Sequence, residues 1–171
     1  MKCLLAPYAA KLPNGARNAK NYPYWKEVVA QLNAEGHEVI QIGRSDETVV
    51  EGVKEFVANL PLDDLEPLVQ SCDCWISVDS FLPHYCATRG LKSGIVIWSQ
   101  SDYRIWGYPH NINLLRDPRF LRQYQYAPWY DAPYIEEAFV RPEMVLDAIH
   151  GRLTEFVTID QVRDKVNLLK G

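Results

Sequence analysis

Short apolar runs and amphipathic stretches alternate along this chain. Residues 3–6 are a continuous apolar run, the pattern of a strand buried on both faces. A long polar loop through Asn14-Gly15 to Asn21 follows. Pro23 then stands where the first turn of a helix belongs, and Trp25, Val28, Val29 and Leu32 are spaced to form its apolar face. Gly36 ends that helix, and residues 38–42 read as a second strand stopping at Gly43. A polar turn over 44–48 leads into a short helical stretch and then a third strand near Glu55–Ala58. Asp63 or Asp64 opens the next helix, with Leu65, Leu68 and Val69 turned inward. The run Cys74–Val78 reads as a fourth strand, and Ser80 occupies the N-cap of a helix running through His84, Tyr85 and Cys86 toward Gly90. A fifth strand at 94–98 and a short sixth at Ile112–Leu115 follow, and two helices close the chain near 142–153 and 159–169.

Strand–helix units joined by short turns imply an α/β chain. The expected architecture is a single Rossmann-like domain over residues 1–171, with a parallel sheet of about five to six strands flanked by helices. Ligands of such sheets bind beyond the carboxyl ends of the strands, where the strand order reverses. Four polar stretches fall there, at 14–20, 43–47, 79–84 and 99–102. The first turn carries no Gly-x-Gly-x-x-Gly, so the standard dinucleotide fingerprint is absent.

Composition narrows the function classes. A formal charge of −4 and a pI near 5.6 disfavour non-specific nucleic-acid binding, which needs a basic face, while allowing one local cationic pocket. No apolar run approaches the roughly 20 residues of a membrane span, and the start of the chain does not resemble a signal peptide; a cytoplasmic protein is expected. The four cysteines fall in or beside expected strands and helices, and Cys72-Asp73-Cys74 has no second pair at zinc spacing, so reduced core thiols are expected. Spacing shows no metal-ligand cluster and no Ser–His–Asp or Cys–His arrangement, so neither a metal nor a cofactor is expected. The segment 99–134 is rich in Trp and Tyr, broken by prolines, and irregular.

The candidate groups each carry two readings. Ser80 and Phe81 sit where a strand feeds a helix N-terminus, an anion site whose dipole contributes about 0.3–1 kcal/mol. Lys20, in Lys20-Asn21-Tyr22-Pro23, is either a flexible phosphate clamp or a solvated loop lysine. Glu47 either accepts from a ribose hydroxyl or serves the first turn of a helix. His84 is either a ligand group or a satisfied cap or core residue. Asp79, at a strand end, requires partners if buried.

Taken in order, these positions resemble the nucleotide-sugar-binding half of heptosyltransferases, the family-9 glycosyltransferases of GT-B fold. The resemblance rests on Lys-x-[Trp/Tyr]-Pro at the first helix, Gly36-His37-Glu38-Val39 into a strand ending in Gly43, Leu60-Pro61-Leu62-Asp63-Asp64-Leu65, and Val78-Asp79-Ser80-x-x-x-His84. It covers roughly residues 3–115; after the fifth strand Ser99-Gln100-Ser101-Asp102-Tyr103 replaces the usual Gly-Pro-Thr-Asp-Pro. It implies an ADP-sugar or similar donor, bound without metal. Lys20 and the N–H groups of Ser80 and Phe81 would hold the diphosphate. Asp79 and His84 would meet the sugar or phosphate side, Glu47 the ribose and Leu60 the base, with Ser101 a further ligand-binding candidate. Phe81 departs from the family, which commonly has glycine there. The family's other half supplies the acceptor site and the catalytic carboxylate, and this sequence opens directly at the donor half. The expectation is therefore a donor-binding domain completed by a partner, a second copy, or its own aromatic segment, with Asp79 or Asp102 as candidate base. A non-catalytic nucleotide-binding protein and a structural subunit that has lost its pocket are the alternatives.

Overall fold

The strands are short, mostly buried, and run in one direction. The computed structural model describes residues 1–151. β1 (Lys2–Ala6), β2 (Glu38–Gly43), β3 (Glu55–Ala58), β4 (Cys74–Val78), β5 (Ile95–Trp98) and β6 (Ile112–Leu115) form one six-stranded sheet in the order β3-β2-β1-β4-β5-β6. Every pairing is parallel. Parallel neighbours need crossovers, and α1 (Trp25–Ala34), α2 (Leu62–Ser71), α3 (Phe81–Thr88) and α4 (Tyr103–Trp106) lie on them. α5 (Pro142–Ile149) follows the last strand. The α/β Rossmann-like expectation holds, including the short sixth strand.

Side-chain alternation along the strands divides the core into two layers. Cys3, Leu5, Val39, Ile76, Val78 and Ile97 face α1 and α5, and meet Trp25, Val28, Leu32, Phe139 and Val145. Leu4, Ile40, Ile42, Trp75, Val96 and Trp98 face the other way, onto Leu65, Val69, Leu82, Cys86 and Tyr103. At Gly94 the backbone lies so close to the Trp75 indole that a Cβ would come within 2.1 Å of it. The four cysteines are unlinked; Cys3 and Cys74, paired in register, hold their sulfurs 3.1 Å apart.

Several boundaries differ from the sequence reading, each for a local reason. α1 starts at Trp25, after Pro23, because Tyr22 is buried against Trp25 and Phe139 and its hydroxyl donates to the Val140 carbonyl at 2.9 Å. No helix forms between Arg44 and Glu55. The buried Gln41 side chain instead donates to Thr48 O at 3.0 Å and accepts from Val50 N at 2.8 Å, taking backbone groups a helix would use. α2 begins at Leu62, with Asp63 and Asp64 in its first turn, where acids favour the dipole. α5 ends at Ile149 rather than 153, since Gly151 adopts a left-handed φ of 69° that terminates the helix. The second closing helix, expected at 159–169, lies outside the described residues. Among those described, no helix is long and apolar enough to cross a membrane.

Candidate functional site

The strand order turns back between β1 and β4, and a cleft of about 540 Å³ opens at their carboxyl ends. Lys20, Glu47, Leu60, Asp79, Ser80 and Phe81 all line it.

The loop after β1 is held in place by two asparagines. Asn18, largely buried, donates to Ala10 O at 2.9 Å and accepts from Lys20 N at 3.0 Å; Asn21 Oδ1 accepts from Ala9 N at 2.9 Å. Ser99 Oγ donates to Ala19 O at 3.0 Å and ties the loop to the end of β5. These bonds place Lys20 with its Nζ 2.9 Å from Asp79 Oδ2 and 4.8 Å from the centroid of Trp129. Asp79 is 7% exposed, and the same Oδ2 accepts from Ser101 Oγ at 2.9 Å. The expected need of Asp79 for partners is met twice. Ser101 is buried behind this pair and orients the carboxylate.

Ser80 is the N-cap of α3 by backbone position, but its hydroxyl lies 3.0 Å from Ser77 Oγ and makes no capping bond. The start of α3 is therefore without a side-chain cap, and Ser80 and Phe81, at that start, border the cleft. Phe81 is half exposed and borders the cleft without filling it.

Glu47 approaches so close to β2 that a Cβ on Gly43 would fall 2.1 Å from its Oε2. Burial raises its carboxyl above the ordinary range, with the Arg44 backbone pulling the other way. The Tyr8 hydroxyl is also raised, by burial and then by Glu47. Tyr8, Leu12, Ile42, Leu60 and Leu65 give this end of the cleft its apolar lining.

His84 lies in a smaller adjoining cavity of about 250 Å³, shared with Lys20, Asp79, Trp106, Tyr126 and Trp129. Its Nδ1 is 2.7 Å from the Tyr108 hydroxyl. Asp102 is not brought to either cavity. It caps the short α4, accepting from Arg104 N at 3.0 Å, and its Oδ2 is 2.6 Å from Arg104 Nη2. The order Asp-x-Arg beside a helix start is a common capping arrangement, and it accounts for this carboxylate.

Sequence reasoning singled out the aromatic segment as a whole, without ranking Trp129 within it, and it missed Gln125. Gln125, 9% exposed, accepts from Asp102 N at 2.8 Å and from Trp106 Nε1 at 3.3 Å. It donates to Gln100 O at 2.9 Å and to Arg122 O at 2.8 Å. A lone glutamine in an irregular segment carries no periodic or motif signal. At the opposite, amino-terminal edge of the sheet the fold gathers Glu35, His37 and His150, with ligand atoms all within 4.8 Å of one another, a grouping that linear spacing does not show.

No protein-family model matches the sequence, and no curated protein matches it. Solved structures do. The ADP-heptose lipopolysaccharide heptosyltransferase II of E. coli superposes with a TM-score of 0.61 at 18% identity, over 89% of this chain and 46% of that one. The dodecameric iron-containing heptosyltransferase TibC, in complex with ADP-D-β-D-heptose, gives 0.60 at 16% identity, over 90% and 46%. A second TibC structure, from enterotoxigenic E. coli H10407, gives 0.52 at 16% identity, over 99% and 46%. The chain thus spans about half the length of these enzymes, and its fold is that of one half of a GT-B heptosyltransferase.

Proposed function

We propose that this chain binds a nucleoside diphosphate, as the leaving-group part of a sugar-nucleotide donor, and forms the donor wall of a glycosyltransferase. The carrying observation is that Lys20 and the uncapped start of α3 share one cleft with an apolar end bordered by Glu47. The diphosphate lies across the Ser80 and Phe81 amides with Lys20 turning from Asp79 toward it, the base packs against Leu60, and the ribose meets Glu47. The sugar points into the smaller cavity, past His84 and Trp129. In the transfer an acceptor hydroxyl oxygen bonds to the anomeric carbon as the bond from that carbon to the phosphate oxygen breaks. The leaving diphosphate keeps the electron pair, and the acceptor proton passes to a base. Lys20 and the helix N-terminus stabilise the charge that develops on the leaving group.

A second reading, binding without catalysis, is favoured by the state of the carboxylates. Asp79 is engaged by Lys20 and Ser101, and Asp102 by Arg104, so neither is poised as a general base. The second reading needs no base; under the first, the base comes from a partner or a second copy.

Calorimetric titration with ADP, UDP, GDP, CDP and their sugar conjugates tests the proposal. Binding of at least one is expected, weakened at least about tenfold in Lys20→Ala. Lys20→Ala also leaves Asp79 buried without its cation, a cost of about 1–3 kcal/mol in stability. The Lys20→Ala/Asp79→Asn double variant regains that stability without regaining affinity. Absence of binding by every nucleotide sinks the proposal. Donor turnover by the chain alone, with an acceptor supplied, decides for catalysis over the second reading.

A further inference from the structure

Glu35 is the C-cap residue of α1, His37 leads into β2, and His150 is the C-cap residue of α5. Helix C-termini in this topology lie at the amino edge of the parallel sheet, the edge away from the nucleotide cleft. Gly36, at a φ of 82°, reverses the chain after α1, with Gly36 N bonded to Asn33 O at 3.0 Å and His37 N to Leu32 O at 2.9 Å. That turn brings Glu35 and His37 together. Glu35 Oε2 lies 2.6 Å from His150 Nε2 and 3.5 Å from His37 Nε2.

We propose that Glu35, His37 and His150 form a binding site for a divalent ion of the zinc class, with water in the fourth position. Two imidazoles and a carboxylate are a donor set such ions prefer, and the three ligand atoms lie within 4.8 Å of one another. Tetrahedral N/O bonds of about 2.0–2.1 Å require ligand atoms roughly 3.3 Å apart, so the Glu35–His150 contact opens and the two histidine nitrogens draw together to admit the ion. The side chains are only 19–28% exposed, and outer contacts orient two of them. Gln31 Nε2 holds Glu35 Oε1 at 3.0 Å, and the Met1 nitrogen lies 3.1 Å from His37 Nδ1. The adjoining groove, about 570 Å³, adds Glu27, Glu143 and Asp147 against the single cation Arg141, a lining that favours a positive ion. With His37 Nε2 turned to the ion, its Nδ1 faces the Met1 nitrogen. The bound ion links the ends of α1 and α5 and fastens α5 to the sheet.

The test is made at pH 8 on chelator-stripped protein. Zn²⁺ is titrated by calorimetry and Co²⁺ by the visible absorption of a tetrahedral site, with thermal melts alongside. One ion per chain and a higher Tm are expected. Affinity falls by at least about tenfold in Glu35→Gln, a variant of nearly the same shape, and by about a hundredfold in His150→Ala and in His37→Ala. Cys74→Ser binds as the parent does, which separates this site from the core thiols. Failure of the parent chain to bind either ion, binding unchanged in both histidine variants, or binding lost in Cys74→Ser overturns the proposal. None of these readouts involves a nucleotide, so the outcome is independent of the cleft.

Discussion

Gly43 has no room for a side chain because the Glu47 carboxylate occupies the space its Cβ would take. The obstacle is the far end of a flexible side chain, so Gly43→Ala swings Glu47 outward at a stability cost expected to stay below about 1 kcal/mol. If Glu47 meets the ribose, this variant loses affinity for nucleoside diphosphates several-fold and keeps its affinity for inorganic pyrophosphate. Parallel calorimetric titrations of the two ligands check this, and equal losses for both exclude the ribose role. Glu47 also has a signature in pH. Burial raises its pKa in the folded chain above the unfolded value near 4.5. Between those two values the folded state holds the extra proton, so stability falls as pH rises through the window. Above the window the ionised carboxylate remains a burden on the folded state. Glu47→Gln is therefore more stable than the parent at pH 7, and the difference vanishes on lowering the pH to about 4. Urea melts at the two pH values decide it; a parent more stable than Glu47→Gln at pH 7 contradicts the burial argument.

The irregular segment after β6 behaves as an element although it has almost no regular structure. Arg122 N donates to Gln100 O at 2.9 Å, and Arg122 donates onward to Ala127 O and Pro128 O while its guanidinium lies 4.0 Å from the Trp129 ring centroid. Gln125 joins this segment to the exit of β5 through Gln100 O and Asp102 N and to α4 through the Trp106 indole. Gln125→Leu takes a partner from Asp102 N, the Arg122 carbonyl and the Trp106 indole and leaves the Gln100 carbonyl only Arg122 N, at an expected cost of about 2–4 kcal/mol. Because Trp129 borders both cavities, nucleotide affinity falls with it, and protease cleavage within 121–134 accelerates. A variant with unchanged cleavage and affinity removes Gln125 from this role. The sheet and its helices were legible in the sequence because each run such as Cys74–Val78 is apolar throughout and each helix carries an inward stripe such as Trp25, Val28, Val29 and Leu32. The polar turn over 44–48 is present, but the stretch between it and β3 was misread as helical, since nothing local shows that Gln41, inside β2, captures the backbone of Thr48 and Val50.

At the scale of the whole chain, the sequence order of the loops foretold which residues meet. Parallel topology delivers the residues after β1, β2 and β4 to one edge, and so Lys20, Glu47, Asp79, Ser80 and Phe81 converge on one cleft. Pairings between loops were not foretold, because Lys20 on Asp79, Asp102 on Arg104 and Gln125 on Gln100 depend on side-chain positions that no periodicity encodes. Those pairings also set the field. The chain carries a net charge of −4, and of the lysines and arginines bordering the cleft, Lys11 and Arg44 are paired with Asp46 and Lys20 with Asp79. Such a surface accepts a compact diphosphate in one pocket and, among the described residues, the border of the cleft offers a polynucleotide no continuous basic track. Binding only to the folded state stabilises it by about 2.7 kcal/mol at a hundredfold excess over Kd. For a chain of this size that moves Tm by roughly 5–10 °C. Thermal melts are therefore expected to shift by this amount with the preferred nucleoside diphosphate, to shift far less in Lys20→Ala, and to stay put with duplex DNA at physiological salt. A shift with DNA as large as that with the nucleotide would mean that the basic surface lies elsewhere and that the cleft is not what the anion recognises.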